Sequence, residues 1–558
     1  MVSPADPMQQ ALADARAGRV SQAEQSLRTL VAERPDDADA HNNLSAVLAL
    51  RGDLAAAETH LRHAVALAPA QWQMRLNLAR LLDRMQRHEA AAESYRSVLA
   101  LAPDAVAAHV GLGVSLRALG RQSEAIACWE RALAIDAGDA QARFHLGNAC
   151  HHAGHEPGAI AHWQMAVQRD PALSEAWFNL GNSQTAARAY PDAVESYRRA
   201  LAVRPDWGEA LTNLGIALSR CGELDEAIAC YRRALERDPD NAYAHLDLGF
   251  ALLARGDYAG GWPEYEWRWR AGAGIKPRDA ELNRPRWRGE PLEGRTLLLH
   301  AEQGLGDAIQ FIRFAPLVAQ RGARVIVECG RPLLRLFAGA PGVAGVCERG
   351  RALPQFAAHC PLLSVPLVLG VTLATLPAAA PYLHASPEER ARWRRRLSPG
   401  ARLRVGLCWA GKQTFKHDAQ RSLPFAALAP LAEAAGVHFV SLQVGPAAKQ
   451  LRQSQDLRVE EFGAELHDLA ATAALVANLD LVISADTAVA HLAGALGVRV
   501  WLLNRYESEW RWMFGREDSP WYPTLRIFSQ RAPGDWIGVI ARVAEALRAL
   551  SGAAAGVR

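Results

Sequence analysis

An internal repeat of 34 residues constrains the first half of the chain more strongly than any other feature. Seven leucines mark its register: Leu44, Leu78, Leu112, Leu146, Leu180, Leu214 and Leu248. Prolines, alanines and aromatic residues keep the same spacing, and the clearest unit reads EALTNLGIALSRCGELDEAIACYRRALERDPDNA. The unit has helical apolar periodicity on both sides of a Gly turn, and a Pro follows the second helix. The pattern predicts an all-α solenoid in which neighbouring helix pairs bury a continuous core.

This unit resembles the tetratricopeptide repeat, with seven clear copies and a degenerate first one over about residues 8–260. One position per repeat, just before the register leucine, is often an amide: Asn43, Asn77, Asn179 and Asn213. An amide can donate to and accept from a peptide backbone, so such a ladder could hold an extended polypeptide acceptor. The alternative is that Asn is only a common residue at this position, since Gly111 and His145 interrupt the series.

The pattern changes after Gly261. Residues 261–293 mix Trp, Arg, Gly and Pro with acidic residues, which favours a packed joint over a nucleic-acid surface. Beyond the joint, short apolar runs alternate with helical segments, as in parallel sheets. The runs are residues 295–301, 323–329, 402–410, 437–444, 479–486 and 498–503. We predict a solenoid over 1–260, then two Rossmann-like domains over 294–387 and 388–558 that face a cleft, with ligands at the carboxyl ends of the strands.

The first strand-to-helix turn of the α/β half is Gln303-Gly304-Leu305-Gly306-Asp307. It lacks the third Gly of a dinucleotide fingerprint and the Lys-Ser/Thr of a P-loop. The glycines allow close approach of backbone to a ligand. Asp307 could accept a hydroxyl proton as general base, or it could simply cap the helix that it begins.

A second turn follows the apolar run LDLVIS. Asp486 and Thr487 open a helix there, and His491 lies about one turn further along the same face. The free N–H groups at such a helix start suit a phosphate, and Asp486 could bind sugar hydroxyls. A helix cap followed by a core histidine is the alternative.

A third candidate lies between Trp409 and Ser422. Lysine is rare, with four residues in the chain, and two of them, Lys412 and Lys416, lie in this segment. Lys416 and Arg421 could neutralise the diphosphate of a leaving group, although a solvated basic loop would look the same. Trp409 could stack on a base or sugar, or pack in the core.

Composition excludes several classes. With 558 residues, 50% hydrophobic and 22% charged residues and a net charge of +3, the chain is neither disordered nor a basic nucleic-acid binder. No HExxH motif or Cys/His cluster occurs, so we expect no metal. The eight cysteines form no CxxC pair and the N-terminus lacks the features of a signal peptide, which predicts a cytoplasmic protein. Prolines interrupt the uncharged run 361–381, so we expect no membrane span.

The stretches GLGDAIQFIRFAP and DTAVAHLAGALGVRVWLL resemble the GT-B glycosyltransferases of the heptosyltransferase-like family nine. The whole layout resembles bacterial tetratricopeptide-repeat glycosyltransferases, some of which modify flagellin. The resemblance implies inverting, metal-independent transfer from a nucleotide sugar, with Asp307 as base and Asp486, Thr487 and His491 at the donor. Arg421 stands where the family has a phosphate-binding Lys, and Ala488 where it usually has Gly, so ADP-heptose is not implied as the donor.

Together these features predict a cytoplasmic glycosyltransferase that moves a sugar to a protein Ser/Thr hydroxyl, with the polypeptide held by the solenoid. Its partners would be a nucleotide sugar and a polypeptide, flagellin among the candidates, and no cofactor beyond the donor. Two alternatives remain open: a repeat-based interaction scaffold with an inactive or sensory nucleotide-sugar domain, and a transferase acting on a lipid-linked saccharide.

Overall fold

The computed structural model describes residues 6–272, 276–397, 402–412, 418–453 and 456–553. By internal contacts the chain divides into a first unit, Met1–Pro205, and a second unit, Asp206–Arg558. No helix among the described residues is both long and apolar enough to cross a membrane.

The first unit is a solenoid of helix pairs, as the repeat predicts. Its helices in the described residues are α1 (Pro7–Arg16), α2 (Val20–Glu33), α3 (Ala38–Leu50), α4 (Leu54–Leu67), α5 (Trp72–Arg84), α6 (His88–Leu101), α7 (Val106–Ala118), α8 (Gln122–Ile135), α9 (Ala140–His152), α10 (Glu156–Arg169), α11 (Ser174–Ala186) and α12 (Tyr190–Val203). The register residues form the core: the aromatic rings of Trp129 and Trp163 are buried where Gly113 and Gly147 leave room for them. The glycines thus let consecutive helices approach closely.

The second unit begins with the last two helix pairs and continues into the α/β half. Its helices in the described residues are α13 (Gly208–Cys221), α14 (Leu224–Arg237), α15 (Ala242–Arg255), α16 (Tyr258–Tyr265), α17 (Asp279–Leu282), α18 (Leu305–Phe311), α19 (Ala315–Gln320), α20 (Leu334–Ala338), α21 (Val365–Leu369), α22 (Pro387–Arg396), α23 (Asp418–Arg421), α24 (Leu469–Val476), α25 (Ala488–Ala495) and α26 (Trp536–Ala553). The segment Phe425–Glu433 is a 3-10 helix where Pro430 limits α-helical bonding.

Ten strands in the described residues form two parallel sheets: β1 (Thr296–His300), β2 (Arg324–Cys329), β3 (Val343–Glu348), β4 (Ala358–Pro361), β5 (Leu403–Cys408), β6 (Val437–Ser441), β7 (Val459–Glu461), β8 (Leu481–Ala485), β9 (Val500–Asn504) and β10 (Leu525–Ser529). The first sheet has the order β3-β2-β1-β4 and the second β10-β9-β8-β5-β6-β7. Both orders reverse beside their first strand, the Rossmann arrangement that places ligands at the switch point. The two α/β domains therefore have the predicted GT-B-like architecture.

The helix pairs continue up to α16, which contains residue 260, while by internal contacts the last two pairs group with the α/β half. The reason is a shared core. Tyr258, Trp262 and Tyr265 on α16 are buried together with Phe311 and Trp510 of the α/β half. Burial of three large aromatic side chains ties the last repeats to that half more strongly than their sequence period indicates.

Candidate functional site

The second sheet brings two of the predicted loops together at its switch point, where β5 and β8 are neighbours. Cys408, at the end of β5, has its Sγ 3.6 Å from Oγ1 of Thr487, just beyond β8. Arg421, on the segment that follows β5, donates from Nη1 to the carbonyl oxygen of Asp486 at 3.1 Å. The switch point is thus lined by a guanidinium and by the start of α25, a combination that suits an anionic ligand.

Thr487 and Asp486 lie where β8 passes into α25. Thr487 is the N-cap of the helix, and its Oγ1 accepts the N–H of Val489 at 3.3 Å. Asp486 is 9% exposed. Burial and the neighbouring carboxylate of Glu509 raise the pKa of Asp486 above its usual value.

His491 is buried on α25, directly behind this loop. Its Nδ1 lies 2.9 Å from the hydroxyl of Tyr522, and its ring stacks on Trp512 with centroids 5.1 Å apart. Burial, reinforced by the positive charge of Arg511, holds the pKa of His491 well below its usual value. The imidazole is therefore neutral at physiological pH, and its Nε2 lies 3.9 Å from Oδ1 of Asp486.

The loop after β1 is arranged around Asp307. We expected Asp307 to begin the helix, but α18 begins at Leu305 and Gly304 is its N-cap. Asp307 lies in the first turn, and its Oδ2 accepts the N–H of Gly304 at 3.0 Å. The side chain is 19% exposed, so the carboxylate has access to solvent. Gln303 donates from Nε2 to the hydroxyl of Tyr265 at 3.0 Å, which attaches this loop to α16.

The loops of the two sheets meet at Gly306. A Cβ placed on Gly306 would lie 2.8 Å from Cδ2 of His491 and 3.6 Å from Cα of Ala488, so only a glycine allows α18 to approach α25 this closely. The close approach brings the Asp307 loop of one domain next to the helix of the other that carries His491 and follows Asp486. Both loops follow strands of parallel sheets, the place where such folds bind ligands.

The structure adds a residue that the sequence reasoning missed. Arg511, in the loop after β9, pairs through Nη2 with Oδ1 of Asp307 and donates from Nε to Oε1 of Gln310 at 2.9 Å. Burial alone would lower the pKa of Arg511, but the carboxylates of Asp307 and Glu509 raise it, so the guanidinium is charged. The sequence could have indicated Arg511 only by its position, because residues 505–513 follow a strand of the predicted parallel sheet and functional loops lie after such strands.

The other candidates of the loop after β5 differ in their surroundings. Arg421 is 21% exposed, and Asp418 accepts from its Nε at 3.1 Å, which fixes the guanidinium near Asp486. Trp409 is fully buried against Phe425, so its ring packs in the core of the domain rather than facing a ligand. Lys416 lies outside the described residues.

The ladder asparagines are half-buried, and two of them bond to an asparagine of the preceding repeat. In the first unit, Asn77 donates from Nδ2 to Oδ1 of Asn42 at 3.0 Å, and Asn179 to Oδ1 of Asn148 at 2.8 Å. The Nδ2 of Asn43 lies 3.2 Å from Sδ of Met8. Asn213 is half-buried on α13 of the second unit. An Asn amide has two N–H groups and an oxygen, so these bonds leave it capacity for further partners.

Within the described ranges, no group of three or more His, Cys, Asp or Glu side chains lies close enough to hold a metal ion. The charges that converge on the site are instead the guanidinium groups of Arg421 and Arg511 and the carboxylates of Asp307, Asp486 and Glu509.

A helical repeat solenoid followed by two Rossmann-like domains with parallel sheets defines a class, the GT-B fold with a repeat extension. Comparison with family models is more specific. Residues 375–532 match glycosyltransferase family 9 (heptosyltransferase). Residues 8–71, 76–140, 115–174 and 157–210 match a tetratricopeptide repeat model, and residues 220–256 match a second one. The chain thus combines segments that match tetratricopeptide repeats with a segment that matches glycosyltransferase family 9.

One curated relative is Protein FlbA of Caulobacter vibrioides, which is 31% identical over 329 residues, 53% of each chain. The chain therefore spans about half the length of that relative. Among solved structures, the chain resembles the APC/C hetero-tetramer Cut9–Hcn1 (17% identity, TM-score 0.38, 43% of this chain and 48% of that chain). It also resembles a tetratricopeptide repeat protein from Parabacteroides merdae (14% identity, TM-score 0.35, 44% and 97%).

Proposed function

We propose that the chain is an inverting, metal-independent glycosyltransferase that moves a sugar from a nucleotide sugar to a Ser or Thr hydroxyl of a polypeptide. The observation that carries the proposal is the meeting of two loops. Gly306 brings the Asp307 loop against α25, next to the anion-binding switch point of the family 9 domain. A base on one side and a phosphate site on the other are the two parts that such a transfer requires.

In the proposed reaction the acceptor hydroxyl attacks the anomeric carbon from the face opposite the nucleotide. The new bond joins the hydroxyl oxygen to that carbon, and the bond between the carbon and the phosphate oxygen breaks. The hydroxyl proton passes to a carboxylate oxygen of Asp307. The departing phosphate carries the electron pair, and Arg421 together with the N–H groups at the start of α25 stabilises its charge.

Each other side chain has a defined part in this proposal. The neutral ring of His491, held by Tyr522, keeps α25 packed against Gly306. Asp486 binds sugar hydroxyls, which can donate hydrogen bonds to its carboxylate oxygens. Lys416 is assigned to the phosphate from the sequence alone.

The test is calorimetric titration of the intact protein with UDP, ADP, GDP and CMP. We expect selective binding of one nucleotide, weakened about 10-fold or more in Arg421→Gln because a charged hydrogen bond to phosphate is lost. Arg548→Gln is the control, since Arg548 pairs with Glu433 on the surface of the same domain. Failure of the folded wild-type protein to bind any of the four would overturn the enzyme proposal and favour the interaction scaffold.

The base is tested separately with the nucleotide sugar that binding identifies. Asp307→Asn should lower the rate of transfer about 10²- to 10⁴-fold, the range for loss of a general base, while nucleotide binding persists. Product analysis of the anomeric configuration decides whether the transfer inverts. Full transfer activity in Asp307→Asn would remove this residue from the mechanism.

The acceptor is proposed to be a polypeptide held by the repeats, flagellin being one candidate. The support is the spare hydrogen-bonding capacity of the ladder asparagines, such as Asn77 and Asn179. The double variant Asn77→Ala/Asn179→Ala should lose transfer to protein but retain nucleotide binding, whereas Gln164→Ala, exposed on α10, should change neither. Unchanged transfer to protein in the double variant would contradict groove binding, and transfer only to a lipid-linked saccharide would identify the other class of acceptor.

A further inference from the structure

Arg511 lies between the two halves of the site and contacts both. Its Nη2 pairs with Asp307, its Nε donates to Gln310 on α18, and its Nη1 lies 3.7 Å from Oε2 of Glu509. The guanidinium also packs over the ring of Trp510, 4.6 Å from the centroid. Arg511 itself is only 9% exposed. Leaving a buried cation unpaired is unfavourable, so Arg511 can give up one of these partners only when another anion takes its place.

The origin of Arg511 places it among the ligand-binding loops. It follows β9, which is hydrogen-bonded to β8 in the second sheet, and its positive charge acts on both His491 and Asp486. The carboxyl edge of such a sheet is where phosphate groups bind. Arg511 therefore joins the proposed phosphate side of the site to the carboxylate of the first domain.

The ion pair with Arg511 hinders Asp307 from acting as a general base. Oδ1 of Asp307 is paired with Arg511 and Oδ2 accepts the N–H of Gly304. The guanidinium occupies one lone pair of Oδ1 and stabilises the negative charge that proton transfer must neutralise, so transfer of a hydroxyl proton is easier once the guanidinium has moved away. A phosphate group is a suitable new partner, because it offers a guanidinium two parallel hydrogen bonds and carries more negative charge than one carboxylate.

We propose that Arg511 is a ligand of the donor phosphate, and that it exchanges Asp307 for the phosphate when the nucleotide sugar binds. The exchange frees the base only when the donor is present. Glu509 and Gln310 remain to hold the arginine near the junction of the two domains. This inference rests on the proposed glycosyltransferase function and adds to it a residue that couples donor binding to the state of the base.

The proposed exchange predicts an unexpected direction for the change in nucleotide affinity when Asp307 is substituted. Nucleotide binding must break the ion pair between Arg511 and Asp307, so the carboxylate competes with the phosphate for one guanidinium. Removing the carboxylate should therefore strengthen nucleotide binding, although it removes the proposed base. A purely structural ion pair predicts the opposite or no change, because its loss only loosens the site.

The experiment is a double-mutant cycle measured by calorimetry with whichever of UDP, ADP, GDP and CMP the wild type binds. Asp307→Asn should bind about 3- to 10-fold more tightly than wild type, within the usual range of coupling energies. Arg511→Gln should bind about 10-fold more weakly or worse. In the Arg511→Gln background the additional Asp307→Asn change should have no effect, which separates competition for Arg511 from a general change in charge.

Each outcome decides the matter. Equal or weaker binding by Asp307→Asn relative to wild type, or tighter binding by Asp307→Asn that persists without Arg511, would overturn the exchange while leaving the glycosyltransferase proposal intact. A wild-type protein that binds no nucleotide would instead overturn the proposed function. If Arg511→Gln does not fold, as judged by circular dichroism, Arg511→Lys replaces it. Lysine keeps the positive charge but cannot form two parallel hydrogen bonds as a guanidinium does. The increase in nucleotide affinity caused by Asp307→Asn should therefore be smaller in this background but still an increase.

Discussion

Burial determines the pKa of Glu302, which lies between β1 and the Asp307 loop. It follows β1 directly, and its Oε1 accepts hydrogen bonds from Nη2 of Arg268 at 3.1 Å and from the N–H of Leu363 at 3.2 Å. Burial raises the pKa of Glu302 to about 7, and Arg268 opposes the shift without cancelling it. Near neutral pH this carboxyl is therefore only partly ionised.

The raised pKa makes the stability of the second unit depend on pH. Between the ordinary value of 4.5 and about 7, folded Glu302 holds a proton that the unfolded chain has lost, so its effect on stability becomes less favourable as pH rises through that window. Glu302→Gln should stabilise the unit by roughly 3 kcal/mol at pH 8 and by much less at pH 5. Scanning calorimetry at both pH values measures the difference, and an equal change at both would show that Glu302 does not titrate there.

Gly306 gives a second prediction at the residue scale. In Gly306→Ala the new Cβ must push His491 away, since the ring atom Cδ2 lies 2.8 Å from its position. Such overpacking costs about 1–3 kcal/mol, and it separates the two loops, so nucleotide affinity should fall as well. Gly339→Ala is the matched control because no heavy atom lies within 4 Å of its Cβ. Equal melting temperatures and affinities in both variants would contradict close contact of α18 with α25.

At the scale of elements, the last repeats support the loop that carries Arg511. A Cβ on Gly222 would lie 2.6 Å from the ring of Phe514, and one on Gly256 would lie 3.1 Å from Cε of Met513. On α16, Trp262 packs edge-on against Trp510 with centroids 5.6 Å apart, and Tyr265 holds Gln303. The end of the solenoid thus contacts the loops on both sides of the candidate site.

Trp262 tests this support. Its indole N–H donates to the carbonyl of Val371 at 2.9 Å, and the ring is buried. Trp262→Ala should destabilise the second unit by about 3–5 kcal/mol, as expected for a buried large aromatic side chain. Trp177→Ala is the control, because Trp177 also donates to a backbone carbonyl, that of Pro171, but is only half-buried in the first unit. Chemical unfolding measures the loss of stability in each variant. Hydrogen exchange of the backbone amides of β1 and β9, which both lie in the second unit, shows whether that unit is the one destabilised. A loss no larger for Trp262 than for Trp177 would contradict the supporting role.

Some strands of the structure could not be predicted from the local sequence pattern. The six predicted strands correspond to β1, β2, β5, β6, β8 and β9, which are buried and apolar. The unpredicted ones are β3, β4, β7 and β10. All four are edge strands, and β3 is mostly half-exposed, so none needs a continuous apolar run. One of them, β4, contains His359 and Pro361 and is recognised as a strand only from its pairing with β1.

For the whole molecule, the relevant boundary is that between the two units. Residues 206–558 produced alone should fold and bind nucleotide with the affinity of the intact chain, because they keep α13–α16 with the α/β half. Residues 266–558 should aggregate, because loss of α16 exposes Phe311, Trp510 and Trp521, which it covers. Size-exclusion chromatography and calorimetry of both fragments test this. A monomeric, nucleotide-binding 266–558 fragment would show that the solenoid end is dispensable.

The sequence by itself determined the repeat, the two parallel-sheet domains and most residues of the candidate site. Each of these features follows from a local pattern in the sequence. The patterns are a 34-residue period, alternation of apolar runs with helices, and strand-to-helix turns whose loops must lie at one edge of a sheet. Asp307, Asp486 and His491 could be identified in this way because each lies at the end of a predicted strand or just after it.

Only the tertiary structure decided which of these loops touch and what joins them. Arg511 and Asp307 are separated by 204 residues, and their pairing depends on how the two sheets pack. The burial of Trp409, the position of the unit boundary before α13 and the raised pKa of Glu302 are equally collective, since each depends on neighbours from distant parts of the chain. Periodicity reports the face that a residue occupies on its own element, whereas partners across elements are set by packing, which no local pattern records.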